Sequence, residues 1–467
     1  MGRNLPTRLK DIPYFIDDAH ASRHQGFIIF VAMRSLFVRQ TLRHLMTEKD
    51  ESRAPDLSAV ISIHSGLSSW LLDRALPLWD EHGVDRRSGG YFENISCRGP
   101  QAGLEVSGDV RRGRVVARQI YAFDVGQRLG WRSHASSPVD HGGDYLFAHL
   151  HRGDGRFHTS LDESTLEPRS PFSLYEQAFY LFALARLNAT FGERYPAAAT
   201  AARCLARLRS SVGKSIGGFE ESNPPSLPLK SNPHMHLLEA ALAWIEVTDG
   251  PRQQPWIALA TEIVGLCLTR FRDPSTGAIR EYFDFQWAAL AGDDGRVLEP
   301  GHQFEWAWLL MRWSESPHST VAVRAACASA IEQLLHVGER WGVDRVRGIA
   351  INEMWDDMTL KDATAKLWPQ TERVKAWCAV LDRARTPAEA DRACRQIGLA
   401  AQGMAKFLRT DAPGLWHEVC SPEGAFVVGP SRASSLYHVV CAIDTLRKTL
   451  SNHLGSAVYC SRSYLAG

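Results

Sequence analysis

The sequence predicts an all-α protein, an (α/α)6 barrel in which six helical hairpins close into a toroid, and three observations carry that prediction. First, a short cluster in which glycine precedes an aromatic or aliphatic residue recurs along the chain. Its copies are Gly89-Gly90-Tyr91-Phe92, Asp154-Gly155-Arg156-Phe157, Gly217-Gly218-Phe219, Thr276-Gly277-Ala278-Ile279, Arg347-Gly348-Ile349 and Glu423-Gly424-Ala425-Phe426. Second, the copies lie roughly 60 to 75 residues apart, room each time for two helices of ordinary length with their connections. Third, the apolar spacing between them is helical, as at Phe179, Tyr180, Phe182, Ala183 and Leu187, or at Leu237, Leu238, Ala241, Leu242 and Ile245. Such a hairpin cannot bury its apolar face alone and must stack on neighbours. Six in succession can close on themselves, with the loops of one end surrounding a funnel. An open helical solenoid is the alternative that periodicity leaves standing. Short strand pieces are expected beside the glycine turns, for example at Ile279-Arg280-Glu281-Tyr282-Phe283.

The segment before this rhythm reads as an appendage. Thr47 to Leu57 is charged and rich in breakers, like a linker, and Met46 opens a plausible shorter chain. Residues 1–57 are therefore taken as an N-terminal extension, disordered or belonging to a mis-assigned start, residues 58–450 as the catalytic barrel, and 451–467 as a C-terminal tail. The apolar run from Phe27 to Val38 is broken by Arg34 and falls short of the ~20 residues that span a bilayer. It also lacks a clear small-residue cleavage site, which argues against a signal peptide.

Lys and Arg total 53 against 52 Asp and Glu, so the formal charge of +1 provides no field for nucleic acid or an anionic membrane. The short basic cluster Arg111-Arg112-Gly113-Arg114 is read as solvated surface. Nine cysteines without a Cys-x-x-Cys pair argue against a disulfide framework or a zinc ribbon and fit a reducing cytoplasm. The expected partner is a small molecule, bound by a monomer or homodimer.

Asn232-Pro233-His234-Met235-His236-Leu237-Leu238-Glu239 is the most informative stretch. Asn is a preferred N-cap and Pro a preferred first helical residue, so a helix should start here, with His236 and Glu239 on one face of its first inward turn. His302 and Glu305 repeat that spacing in Gly301-His302-Gln303-Phe304-Glu305-Trp306, and two such turns suggest one cavity. A metal site built from His234, His236 and Glu239 is the competitor. Residues i and i+2 diverge on a helix, however, so the expectation is no metal and no cofactor. No Walker or Rossmann fingerprint is present.

From about residue 60 to 450 the chain resembles the N-acylglucosamine 2-epimerase superfamily, which includes cellobiose 2-epimerase, mannose isomerase and related aldose–ketose isomerases. The resemblance rests on Ala117-Arg118-Gln119-Ile120-Tyr121, Asn232 to Glu239, Glu299-Pro300 with Gly301 to Trp306, Leu367-Trp368-Pro369-Gln370-Thr371-Glu372, and Ser434-Ser435-Leu436-Tyr437-His438. It implies an (α/α)6 barrel with two catalytic histidines, His236 and His438, no metal, and a sugar-binding arginine at Arg118. The Gly301 to Trp306 wording is closer to the isomerases. Two positions depart from the pattern: Gln177 stands where some isomerases have a further histidine, and Lys230 stands where an arginine often precedes Asn-Pro-His.

Moving an aldose to a ketose means opening the ring and shifting a proton through an enediol, which needs a base that titrates near neutrality. Histidine, with a reference pKa of about 6.5, meets that need. Arg118 would hold the enediolate oxygens. Trp306, Trp368 and Tyr437 would stack on the sugar, with core packing as the ordinary alternative for the tryptophans. Glu305 and Glu372 would accept hydroxyl hydrogen bonds, and Glu239, His302 and Gln177 complete the expected substrate contacts. The leading expectation is a sugar isomerase of the mannose/fructose type. Its alternatives are an N-acylglucosamine or other sugar 2-epimerase, a mannose-6-phosphate isomerase, or a glycoside hydrolase using two opposed carboxylates. A non-enzymatic binding protein is a further reading, opposed by the presence of both histidines beside acidic residues.

Overall fold

The computed structural model describes residues 57–97 and 103–463, with side chains described to 454. The expectations for the N-terminal extension before residue 57 lie outside the described residues.

Helices of an outer and an inner ring alternate along the chain: α1 (Leu57–Trp70, outer), α2 (Gly113–Arg128, inner), α3 (Pro138–Tyr145, outer), α4 (Leu174–Phe191, inner), α5 (Ala197–Val212, outer), α6 (Ser231–Val247, inner), α7 (Gln254–Leu266, outer), α8 (Pro300–Glu315, inner), α9 (Val321–Arg340, outer), α10 (Leu367–Asp382, inner), α11 (Pro387–Phe407, outer) and α12 (Ala433–Ser463, inner). Each inner helix packs on the next, and α12 packs back on α2, so the ring is closed and the open solenoid is excluded. Each outer helix α3 to α11 packs on the inner helix before it, while α1 covers α12 and α11. The first described helix is therefore the outer partner of the last. That last helix runs without a break past residue 450, where a separate tail was expected.

Burial separates the two rings as their amphipathicity requires. Outer helix α5 hides one stripe, Ala197, Thr200, Ala201, Cys204, Leu205, Leu208 and Val212, whereas inner helix α8 is buried along nearly its whole length. Among the described residues no helix is long and apolar enough to cross a membrane, and the eight described cysteines are unbridged.

All six glycine turns lie in outer-to-inner connections, so they gather at the end of the barrel where the inner helices start. Their glycines are left-handed, for example Gly218 at φ +77, where a Cβ would also meet the Trp287 ring at 2.8 Å and His234 Nε2 at 3.0 Å. Three glutamines, each the fourth residue of its inner helix, grip the residue after or near the turn by both main-chain groups. Gln303 accepts from Ile279 N–H at 2.8 Å and donates to its carbonyl at 3.0 Å, and Gln370 does the same to Ala350 at 2.8 and 2.9 Å. Gln177 holds Phe157 at 3.1 and 3.0 Å, fully buried, so it is a structural clasp and not the substrate contact expected from the sequence. At the matching place in α6, His234 Nε2 accepts from Phe219 N–H at 3.1 Å while Nδ1–H donates to the Lys230 carbonyl at 2.9 Å.

Short antiparallel strands make five of the six junctions between successive hairpins. The strand leading into α2, Val110–Arg112, pairs with Ser160–Asp162; Leu229–Lys230 pairs with Tyr282–Phe283; Val297–Leu298 pairs with Glu353–Trp355; and Ala365–Lys366 pairs with Val419–Cys420. Ser431–Arg432, before α12, returns to the first loop with Asn94 opposite Arg432 and Ile95 opposite Ser431. Of the basic cluster expected on the solvated surface, Arg112 is exposed and Arg114 partly so, whereas Arg111 is drawn into this ring. Arg111 is 1% exposed and donates to Asp85 and Glu163 at 2.7 and 2.8 Å, Arg112 pairs with Glu93, and Arg114 pairs with Glu176.

Replacing Gln303 by Leu should leave the Ile279 N–H and carbonyl buried without partners, at a cost of about 2 to 4 kcal/mol for the two groups. Denaturant unfolding measures it. A loss within a few tenths of a kcal/mol would mean that the clasp is dispensable.

Candidate active site

The funnel is lined by inner-helix residues in the same phase. The sixth residue of each inner helix is Arg118, Phe179, His236, Glu305, Glu372 and His438 in turn. Neighbours in this belt touch: the Arg118 guanidinium lies 4.1 Å from the Phe179 ring centre, Phe179 lies 4.5 Å from the His236 ring, and His236 Nδ1 lies 4.0 Å from Glu305 Oε1. His438 Nδ1 lies 2.9 Å from Glu372 Oε1. Three residues further along each helix a deeper belt holds Tyr121, Phe182, Glu239, Trp308, Lys375 and Cys441. Tyr121 is 4.8 Å from Phe182 in that belt, and its hydroxyl is 3.7 Å from Cys441 Sγ.

Three imidazoles meet here, and each turns Nδ1 to a carboxylate. His236 faces Glu239 at 3.3 Å, His438 faces Glu372 at 2.9 Å, and His302, the third residue of α8, faces Glu281 at 2.9 Å. A carboxylate only accepts, so each Nδ1 carries the proton. For His236 and His438 this leaves Nε2 as a lone pair, with no protein partner among the described residues. His236 on α6 and His438 on α12 stand three helices apart in a ring of six, on opposite sides of the funnel. His302 Nε2 is 3.2 Å from the Asn232 side-chain amide, whose oxygen, otherwise without a partner, is the atom that can accept from an imidazolium Nε2–H.

The charge states differ sharply. Burial lowers His236 to about 4 against the pull of Glu239, and lowers His438 well below the ordinary imidazole value, with Arg118 and Lys375 adding to the effect. Burial opposes the charge on His302 too, but Glu281 and Glu299 outweigh it and raise that imidazole to about 10. His302 is therefore an imidazolium at neutral pH. Glu239 is held down at about 2, since burial is outweighed by bonds from His236 and Tyr437 and by Lys375. Glu305 is raised well above its usual value, by burial first and then by Glu372, and its Oε1 has no hydrogen-bond partner. Burial also raises Glu372, with the ion-paired Lys375 the strongest force drawing it back.

Arg118 is 5% exposed, donates to Tyr175 Oη at 2.8 Å and to the Ser434 carbonyl at 3.3 Å, and leaves Nε unpaired. Trp368 lies between two of the histidines, 4.9 Å from His302 and 6.1 Å from His438. Gly301 admits it, because a Cβ there would stand 2.4 Å from the indole. Trp306 departs from the expectation: it is fully buried and packs on Phe271 at 5.9 Å, away from the imidazoles. It is the seventh residue of its helix, about 100° round from Glu305, and so faces the outer ring.

The start of α6 also differs from the sequence reading. The helix begins at Ser231 with Lys230 at the N-cap, because the strand pairing of Leu229–Lys230 carries the chain straight into it. Asn232 is thereby inside the helix with its amide on His302, and His236 lies one turn deeper, where burial rather than the helix dipole lowers its pKa. Sequence reasoning missed Glu281, Asn232, Tyr175 and Lys375. Glu281 had a signal, since Glu93, Glu221 and Glu281 each stand two residues after the aromatic or aliphatic residue of a glycine turn.

Two donor groups, His236 with Glu239 and Glu305, and His302 with Glu281 and Glu299, each bring one nitrogen and two carboxylate oxygens within 4.8 Å of one another, a spacing a cation could occupy. Each group is also complete as an imidazole hydrogen-bonded to a carboxylate.

With this geometry in view, the chain was compared with known proteins. The family model described as N-acylglucosamine 2-epimerase matches residues 90–442. A mannose-6-phosphate isomerase of Rhizobium meliloti (strain 1021) is 40% identical over 389 residues, 82% of this chain and 96% of the relative. Among solved structures, cellobiose 2-epimerase from Spirochaeta thermophila superposes with a TM-score of 0.70 at 20% identity, over 85% of this chain and 98% of the other. A D-mannose isomerase superposes at 0.69 and 16% identity, over 83% and 98%.

Gly301→Ala should uncouple activity from stability. Alanine favours a helix by about 1 kcal/mol over glycine, which offsets part of the clash, yet the Trp368 indole must leave its place between His302 and His438. Steady-state kinetics should show a raised KM with a near-normal melting temperature, and unchanged KM and kcat would remove Trp368 from the site.

Proposed function

This chain belongs to the N-acylglucosamine 2-epimerase family, and from that premise we propose that it isomerises a mannose-type aldose to its ketose by histidine acid–base chemistry. The observation that carries the reading is the funnel itself: two neutral imidazoles with open Nε2 atoms, one imidazolium, and the Arg118 guanidinium. His302, protonated, gives a proton to the ring oxygen on opening and to O1 as the enediol forms, and takes one back each time, from the O1 and then from the O2 hydroxyl. His438, with its lone pair free and Trp368 between it and His302, takes the proton from C2 and returns it to C1. Arg118 holds the enediolate oxygens, supported by Tyr175. Glu305 offers a hydroxyl contact and Trp368 an apolar platform for the ring.

The relative spanning nearly the whole chain is a mannose-6-phosphate isomerase, which makes a 6-phosphate the first variant of the substrate to try. The residues just before four inner helices, Arg112, Lys230, Lys366 and Arg432, are basic, and positive helix ends converge there, which suits an anion at the mouth. A 2-epimerase is the second reading, favoured by His236 and His438 standing on opposite faces of the funnel. A glycoside hydrolase is not favoured, because Glu239 and Glu372 are both engaged by imidazoles and by other buried groups. The unbridged cysteines support a cytoplasmic setting, and we expect a monomer or homodimer without metal.

Incubation with mannose, glucose, fructose, their 6-phosphates and N-acylmannosamine in deuterated water, with and without a chelator, tests the reaction. We expect ketose from the mannose compound, partial label at C1, and no effect of chelation. An aldose product labelled at C2 with little ketose would replace isomerase by epimerase, and loss on chelation restored by one metal would give the donor groups to a cation.

The pH profile follows from the charge states. The bases act unprotonated, and burial lowers their pKa values, so activity should persist below pH 6 and fall only well under the ordinary imidazole range. The acid acts protonated, so the basic limb should lie near pH 10. Glu281→Gln removes the largest charge holding that proton and should bring the basic limb down by about one to three pH units. A basic limb unmoved by this change would show that His302 is not the acid.

A further inference from the structure

At the bottom of the funnel one cation serves several acids. Lys375, on α10, is fully buried, and its ammonium forms an ion pair with Glu372 and lies 4.0 Å over the Trp308 ring of α8. Burial opposes its charge, and Cys441 of α12, Glu305 of α8 and Glu239 of α6 favour it electrostatically along with Glu372. His438 on α12 also feels its charge, together with that of Arg118 on α2 and the imidazole of His236 on α6. Glu239 and Glu372 are the acids that hold the Nδ1 protons of His236 and His438. Both acids are at most 1% exposed.

We propose that Lys375 is a positioning residue for proton transfer: its buried ammonium keeps Glu372 and Glu239 as carboxylates, which fix His438 and His236 as Nδ1–H tautomers with Nε2 open to the funnel. The argument is one of desolvation. A carboxylate this deeply buried stays charged only when a cation and hydrogen bonds compensate it, and otherwise takes up a proton. A protonated Glu372 would have an O–H to donate toward Nδ1. The imidazole would then accept at Nδ1 and carry its own hydrogen on Nε2, and it would have no lone pair facing the sugar. Lys375 touches no reacting atom in this scheme. It acts through the acids, and they act through the rings. Tyr437 supports the same state in Glu239, to which its hydroxyl donates.

The proposal rests on the isomerase reading for its kinetic consequence alone, because the tautomers belong to the resting protein. Nitrogen-15 NMR of histidine-labelled protein at neutral pH, without substrate, should show His438 and His236 in the Nδ1–H form. In Lys375→Met, of similar length and without charge, both should move toward Nε2–H, and kcat should fall about 100-fold with KM little changed, the scale of a lost general base. An Nε2–H form in the wild type overturns the proposal, as does a folded Lys375→Met variant with wild-type tautomers. Should Lys375→Met fail to fold, Lys375→Arg, which keeps the cation, should hold both rings in the Nδ1–H form, and an Nε2–H form in that variant overturns the proposal. Shifted tautomers in a protein that converts no sugar would leave the Lys375 assignment standing and sink the isomerase reading.

Discussion

The main-chain hydrogen bonds that link each inner helix to the following loop are the constraint on which the barrel depends. A helix starts with unsatisfied N–H groups, and here the first of them is spent on the next hairpin. Gly113 donates to Thr159 O at 3.0 Å, Leu174 to Glu221 O at 3.1 Å, Ser231 to Glu281 O at 3.2 Å, Leu367 to Glu418 O at 3.2 Å, and Ala433 to Glu93 O at 2.8 Å. Pro300 has no N–H to give, and at α8 the pairing of Leu298 with Met354 performs the link. Because the last of these bonds returns to the first loop, the six starts are held in one closed circuit. The sixth residue of every inner helix is then placed by backbone geometry, and a belt of functional side chains follows from it.

Burying that belt is expensive, and the arrangement that meets the cost also sets the chemistry. Each ionised group in the funnel meets a partner from another segment: Glu239 meets Tyr437 across the barrel, Glu372 meets His438 as well as Lys375 of its own helix, and His302 meets Glu281 from the preceding loop. Removing one partner of such a pair leaves an uncompensated charge, typically a loss of about 3 to 5 kcal/mol. Stability and proton bookkeeping are therefore carried by the same contacts.

The topology was legible because its signal is repeated. Six glycine turns at even spacing specify hairpins, and the helical apolar pattern specifies their content. The family motifs proved to be helix starts, which is why residues far apart in sequence meet. What was not legible depended on helical phase and on what covers a surface. Gln177 and a sugar-binding amide look alike until Gln303 and Gln370 are seen in the same phase, each gripping a turn. Trp306 and Trp368 are both aromatic neighbours of motif residues, yet only Trp368 is in phase with the funnel. Arg111 reads as solvent-facing because the acids that cover it come from other loops. Asn232 has the side chain of an N-cap, but strand pairing starts the helix before it and turns it toward His302 instead.

The same residue type holds opposite charge states within one funnel, and the count of neighbouring ions explains it. His302 faces two acids, Glu281 and Glu299, and these outweigh the penalty of burial. His438 faces Glu372, whose charge is already compensated by Lys375, and it also feels Arg118, so burial prevails and the ring stays neutral. His236 lies between these cases, with Glu239 shared among its own ring, Tyr437 and Lys375, and burial again prevails. The α8 side of the funnel is thus loaded with a proton while the α6 and α12 sides are empty. An enzyme that must give a proton to an oxygen and take one from a carbon needs that asymmetry before the sugar arrives. Here it is produced by where the cations stand, with identical imidazoles on both sides.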